Sequence, residues 1–306
     1  MSDPVLVIGF NRPHLLRQVI SRLRRVQPSR VYLAVDGPRA DRPDEAVLVQ
    51  ECRHIAEEID WPCTVETLFQ ETNLGCGLGV STAITWFFSH EEQGIILEDD
   101  ILPDPSFFEF CEELLDRYRD DSRVFAISGC NFVPPESQAH PEQPYRFTNV
   151  PHIWGWATWR RSWDRYQLDI ANWRTRLSAR RLWQEVDHSL PGFVYWNSTF
   201  ELLGRKHVDT WDGQLVLTAM ENATLIANSN VNLIENIGFG PGATHTFEDR
   251  EDLRSVESMR FPVAHVPVAR DKKADAWTRE HHFLATWRGM LGQAQRFLTM
   301  KKGKRV

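Results

Sequence analysis

Three acids in succession, Glu98, Asp99 and Asp100, close a short aliphatic run at 95–97 and precede a Pro-Asp-Pro turn and a helical pattern. Adjacent carboxylates repel, and an unpaired one is costly to bury, so the stretch calls for a positive partner. A hard divalent cation, Mn2+ or Mg2+, takes oxygen ligands and needs few from protein when phosphates supply the rest. Acids on a tight turn at a strand end can present such ligands to a metal–diphosphate. The plain alternative is a charged turn, with Asp104 capping the helix that follows; three acids behind Ile-Ile-Leu weigh against it. Asp212, in TWDGQ, stands before a helix and reads either as an N-cap or as a base. His245, in GPGATHT, lies on a Gly-rich segment suited to a closing loop. His281 and His282 are adjacent, so on a helix they diverge and make no joint metal site.

These groups need a scaffold. Strand patterns at 5–8, 31–35, 64–69, 94–97 and 124–128 alternate with helical patterns at 13–23, 44–59, 79–90 and 105–118. That alternation implies an α/β fold, a mainly parallel sheet flanked by helices. Ligands of such sheets bind beyond the carboxyl ends of the strands. Those ends carry Asn11-Arg12, Asp36-Gly37, Asn73-Leu74-Gly75 and the three acids, so four strand ends offer chemistry to one crevice. Near residue 131 the character changes to a Pro-rich loop, a Trp-rich stretch, and helical patterns at 177–186 and 193–206. This half reads as an α+β extension closing over the crevice.

Bulk properties narrow the function. The chain has 306 residues and a net charge of −7, which removes any global electrostatic case for nucleic acid. Gly75, Gly77 and Gly79 do not match GxGxxG and follow the third strand rather than the first. There is no Walker A sequence, and the turn Gly9-Phe10-Asn11-Arg12-Pro13 is not the glycine-rich loop of sugar-nucleotide pyrophosphorylases. Dehydrogenase, kinase and nucleotidyltransferase readings lose ground. Five scattered cysteines argue for a reducing compartment, and the 12 tryptophans, many between 154 and 196, read equally as a sugar-binding surface or as core. The amino-terminal segment lacks the marks of a signal peptide and no stretch reaches membrane-span length, so the expected location is the cytoplasm. The segment from Trp277 mixes apolar and basic residues and ends KKGKR. It reads as a packed terminal helix with a basic tail, or as an amphipathic helix making a peripheral membrane contact.

Together these residues resemble the GT-A fold glycosyltransferases, and within them N-acetylglucosaminyltransferase I and bacterial nucleotide-diphospho-sugar transferases. The resemblance runs from about residue 4 to 245 and rests on VIGFNRP, VDG, NLGCGLG, EDDILPDPSFFEF, WGWATWRRSW and TWDGQ. It implies a GT-A (Rossmann-like) sheet divided into a donor-binding half at 1–130, an acceptor and catalytic-base half at 131–262, and a helical basic tail at 263–306. It implies an inverting, metal-dependent transfer from a UDP-sugar to a hydroxyl of a glycan or lipid-linked saccharide, as in polysaccharide biosynthesis. Phe10, Asn11, Arg12, Asp36, Asn73, Gly75, Glu98 and Asp99 would then hold the donor, with Trp154, Gly155 and Trp156 beside its sugar. Asp100 would bind the Mn2+ (or Mg2+), with Asp99 and His245 assisting, and Asp212 would be the base, with Asp209 and Glu201 as alternatives. The family form is more acidic than Asp212-Gly213-Gln214. Two other classes stay open: a non-catalytic sugar-nucleotide or glycan-binding protein, and a metal-dependent phosphohydrolase.

Overall fold

The computed structural model describes residues 3–239 and 254–289. The chain first forms β1 (Val5–Gly9), α1 (Pro13–Val26), β2 (Arg30–Val35), α2 (Glu45–His54), β3 (Thr64–Phe69), α3 (Gly75–His90), β4 (Gln93–Glu98), β5 (Ile101–Pro103), α4 (Pro105–Arg117) and β6 (Val124–Ser128). Then follow β7 (Tyr145–Thr148), β8 (Trp156–Trp159), and the short helices α5 (Arg160–Trp163), α6 (Trp173–Arg176) and α7 (Ala179–Glu185). The longer helices α8 (Leu190–Gly204) and α9 (Asp212–Glu221) precede β9 (Leu225–Ser229), β10 (Ile234–Asn236) and α10 (Lys272–Trp277).

Eight strands make one sheet in the order β3-β2-β1-β4-β8-β6-β9-β7. The block β3-β2-β1-β4 is parallel throughout. β8 runs antiparallel to β4 and β6, β6 and β9 are parallel, and β7 closes the edge antiparallel. The fold is thus the expected α/β sheet flanked by helices, and strands from both halves of the chain share it. From β1 the chain winds outward through β2 and β3, then returns to place β4 on the other side of β1. Such a reversal opens a crevice at the carboxyl ends of the two diverging strands.

Alternation along β1 explains the layers. Val5 and Val7 pack in one core with α1, α2 and α4, while Leu6 packs on the other face with α3 and α9. Pro13 opens α1, where a missing N–H costs nothing, and Leu16, Val19, Ile20 and Leu23 form its buried stripe. Asp104 does cap α4, accepting the Ser106 N–H at 2.9 Å. Asp44 makes no such bond, and the helix expected over 44–59 tightens after His54 into a 3-10 turn at Ile55–Glu58. A third core gathers Trp173, Trp196, Phe200 and Leu203 of α6 and α8 against Val216 and Leu217 of α9.

The Trp-rich stretch is therefore mainly core: Trp156, Trp159, Trp163, Trp173 and Trp196 are all buried. None of the five cysteines forms a disulfide. α10 continues as a π-helical turn, Thr278–His282, and Leu284 and Trp287 are exposed beyond it. The rest of the basic tail, from residue 290, lies outside the described residues, and no described helix is long and apolar enough to cross a membrane.

Candidate active site

A crevice of about 1340 Å³ opens where β1, β2 and β4 end, and its far wall is the loop from Arg205 to Asp212. Ten of the residues expected at the site line it: Phe10, Arg12, Asp36, Asn73, Gly75, Glu98, Asp99, Asp100, Trp154 and Asp212.

Its floor is the acid step, and the positive partner the sequence called for is Arg12. Standing just before α1, Arg12 donates from Nε to Asp99 Oδ2 at 3.2 Å, makes a short contact from Nη2 to Asp99 Oδ1, and lies 3.0 Å from Asp100 Oδ2. Burial opposes the Arg12 charge, but Asp99 and Asp100 outweigh it and hold the guanidinium more firmly protonated. Asp99 is buried, and both its oxygens are engaged by Arg12. It anchors Arg12 and lines the crevice next to Asp100, where the sequence placed it as a ligand of metal or donor. Burial pushes Glu98 up to about 8, with repulsion from Asp100 and Asp99 adding to it. Both effects favour the neutral carboxyl, which can donate as well as accept hydrogen bonds.

Asp36, at the end of β2, spends its carboxylate on the neighbouring loop. It accepts the Leu74 N–H at 3.0 Å, the Gly37 N–H at 2.8 Å and the Asn73 side-chain amide at 2.9 Å. Burial raises its affinity for a proton, and the backbone donors oppose this. Asp36 and Asn73 thus form one unit that shapes the crevice edge.

α3 begins at Gly75, four residues before the sequence pattern starts, because its first turn is capped from far along the chain. Asp209 accepts the N–H groups of Cys76 and Gly77 at 3.0 and 2.9 Å. A Cβ at Gly75 or Gly77 would come within 2.5 or 2.7 Å of the Asp209 oxygens, so side-chain-free positions are what admit the carboxylate. Asp209, one alternative base, is therefore a helix cap. Glu201, the other, pairs with Arg174 and Arg205 and does not line the crevice.

Asp212 lines the crevice as the first residue of α9 and is exposed. Its Oδ1 accepts from the Thr210 hydroxyl at 2.5 Å and from the Gly213 N–H at 2.8 Å, and among the described residues Oδ2 has no hydrogen-bond partner. Behind it, buried Trp211 stacks on Trp156 with ring centroids 5.8 Å apart, and the Tyr166 hydroxyl donates to the Trp211 carbonyl at 3.0 Å.

Three expected contacts fall elsewhere. Trp156 points into the core and supports Trp211 rather than touching the crevice. Gly155 makes a turn at φ 65°, where a Cβ would meet the Ile234 side chain at 2.3 Å. The Asn11 amide donates to Glu45 at 3.3 Å and does not line the crevice. His245 lies outside the described residues.

Sequence reading also missed several wall residues. Arg39 stacks over the Phe10 ring at 5.4 Å and is clamped by buried Glu45. The signal was Arg39 following Val-Asp-Gly-Pro. Arg205, Lys206 and His207, a basic triplet just ahead of Asp209, form the far wall, and Asn236 and Gly238 complete the rim near Asp100.

Among the described residues, no group of three or more His, Cys, Asp or Glu is arranged around a single cation position. The hard oxygens of the acid step suit Mg2+ or Mn2+, but Asp99 is committed to Arg12. Asp100, which meets Arg12 through Oδ2 alone, is the acid of the step that would hold such an ion.

No protein-family model matches the chain, and no curated protein matches it. Solved structures do. UDP-glucose pyrophosphorylase complexed with UDP-glucose aligns over 75% of this chain and 91% of its own, at 10% identity and a TM-score of 0.37. Mouse xyloside xylosyltransferase 1 aligns over 72% and 81%, at 12% identity and 0.32. A Thermus thermophilus protein described as mannose-1-phosphate geranyltransferase aligns over 76% and 75%, at 12% identity and 0.33. Likenesses this distant say nothing of reaction or substrate.

Proposed function

We propose that the crevice binds a nucleotide-diphospho-sugar, a UDP-sugar first among donors, and transfers the sugar with inversion to a hydroxyl of a glycan or lipid-linked saccharide. The observation that supports this reading best is convergence. The Arg12–Asp99–Asp100 step, the Asp36–Asn73 unit and Asp212 come from separate parts of the chain and line one crevice at the carboxyl ends of β1, β2 and β4. The resemblance of the motifs to the GT-A glycosyltransferases supports the same reading.

In this reading Phe10 and Arg39 flank the base, and Asp36 and Asn73 hold the edge against the nucleoside. Glu98 hydrogen-bonds the donor sugar. The acceptor oxygen attacks C1, the C1–O bond to the diphosphate breaks, and Asp212 Oδ2 takes the acceptor's proton. Thr210 and the Gly213 N–H hold the other oxygen of Asp212, so the base is oriented before the acceptor arrives. Asp100 would hold a Mg2+ or Mn2+ ion, which would offset the charge developing on the departing nucleotide. Crevice charge favours a ligand that brings its own cation, because among the described lining residues the carboxylates of Asp36, Asp99, Asp100, Asp209 and Asp212 outnumber the cations Arg12, Arg39, Arg205 and Lys206.

The test is thermal stabilisation by a panel of nucleotide-sugars, with and without Mn2+, on wild type and Asp100→Ala. A bound ligand raises Tm by mass action. One nucleotide-sugar stabilising wild type only with Mn2+, and not Asp100→Ala, is the expected result. No shift with any nucleotide-sugar under any metal condition sinks the reading. Binding without turnover on any acceptor would favour the non-catalytic alternative, and cleavage that no acceptor accelerates would favour the hydrolase.

A further inference from the structure

We propose that Arg12 is a built-in counter-ion for the acid step, and that it bars Mg2+ or Mn2+ from Asp100 until a diphosphate is present. The identity of the cation rests on the function proposed above; the ion pair rests on the structure.

Arg12 is fixed from one side and available from the other. Its Nε and Nη2 both engage Asp99, whose side chain is only 4% exposed, while Asp100, at 17%, meets it through Nη2 alone. The Arg12–Asp99 pair is therefore the buried anchor, and Asp100 is the less buried partner on a single contact. Asp100 has little room to swing clear: a Cβ at position 238 would fall 2.1 Å from its Oδ2, so Gly238 already presses against it. A divalent ion arriving alone at Asp100 must displace that contact and then sit beside a guanidinium that Asp99 still holds. Two like charges would share one carboxylate, without the water screening an exposed site enjoys. A diphosphate changes the balance. Its oxygens supply ligands to the ion and accept the N–H groups that Arg12 withdraws from Asp100. Among the described residues Nη1 of Arg12 has no hydrogen-bond partner, so a donor is in reserve. Cation and nucleotide then load together, each raising affinity for the other, as linkage requires.

The experiment is a Mn2+ titration followed by the EPR signal of free Mn2+, on wild type, Arg12→Gln and Arg12→Lys. Without nucleotide, Arg12→Gln is expected to bind one Mn2+ at least tenfold more tightly than wild type, and Arg12→Lys to behave like wild type. Asp100→Asn in the Arg12→Gln background should abolish the gain. Equal Mn2+ affinity in wild type and Arg12→Gln overturns the proposal, whether both bind or neither does. If Arg12→Gln does not fold, wild type decides. Saturating UDP, after correction for Mn2+ held by free UDP, should raise its Mn2+ affinity at least tenfold, and no change overturns the proposal. If UDP and its sugars do not bind at all, the transferase reading fails, while the comparison of wild type with Arg12→Gln still tests Arg12.

Discussion

Asp209 and Asp212 lie three residues apart on the same crevice wall, and the structure gives them different work. The discriminating perturbation is the removal of Asp209. Its carboxylate accepts the N–H groups of Cys76 and Gly77 at the start of α3. Losing a side-chain cap costs about 0.5–2 kcal/mol, and losing a negative charge at a helix N-terminus costs about 0.3–1 kcal/mol. Asp209→Ala should therefore destabilise the protein by about 1–3 kcal/mol, a Tm fall of roughly 2–6 °C at about 2 °C per kcal/mol for a large domain. Gly77→Ala offers an independent route to the same loss. Its new Cβ would lie 2.7 Å from Asp209 Oδ1 and 3.0 Å from the Thr210 carbonyl, which forces the cap off. In the Asp209→Ala background the nearer obstacle is gone, and alanine is the better helix former. Thermal and urea melts of the four proteins complete a double-mutant cycle. Gly77→Ala should cost about as much as Asp209→Ala, with the double variant no worse than either, a coupling of roughly 1 kcal/mol or more. Strictly additive losses would refute the capping role, as would an Asp209→Ala protein as stable as wild type.

Asp212→Asn should leave Tm within about 1 °C and lower transfer by about 10²–10⁴-fold, the range for a general base, measured as turnover once a donor and acceptor are known. Gly238→Ala should push Asp100 aside and abolish Mn2+-dependent stabilisation by nucleotide-sugar while the circular dichroism spectrum is retained. Asp275 is buried against Arg270 and accepts from Thr148 at 2.5 Å. Asp275→Ala leaves Arg270 with Asp187 as its remaining acid and takes the acceptor from the buried Thr148 hydroxyl, so it should cost about 1–3 kcal/mol, with earlier proteolysis of the segment carrying α10. Arg39 hydrogen bonds hold the Glu45 carboxyl below its ordinary 4.5. The stability this pair contributes is complete at neutral pH and lost as pH falls below 4.5 through the lower folded value, so Arg39→Gln should raise the pH midpoint of acid unfolding.

What was legible in the sequence was local. The aliphatic runs at 5–8, 31–35 and 95–97 became β1, β2 and β4, because a strand buried on both faces has no polar positions to blur it. The polar residues at their ends landed in one crevice because parallel strands present their carboxyl ends on the same side. What was not legible depended on partners far away in the chain. α3 starts at Gly75 because of a carboxylate more than 130 residues downstream. No window around NLGCGLG contains that information. β7, β8 and β9 are short, and their place in the sheet is set by their neighbours, β4 and β6 for β8, β6 for β9 and β9 for β7, rather than by their own periodicity.

The segment from Trp154 to Trp156 shows why a motif taken as a block misplaces its members. All three residues were expected beside the donor sugar, and only Trp154 lines the crevice. Gly155 turns the backbone at φ 65°, and Trp156 then enters β8 with its ring in the core. There it stacks on Trp211, which precedes Asp212 at the head of α9. A Trp156→Ala change would therefore act on the candidate base from behind, by opening a cavity under Trp211, rather than by removing a ligand contact. Large aromatic truncations in cores cost about 3–5 kcal/mol, so Tm should fall with it. Asp212→Asn, which touches no core residue, should change turnover and spare Tm. The contrast between those two variants separates what the motif holds up from what it presents to the substrate.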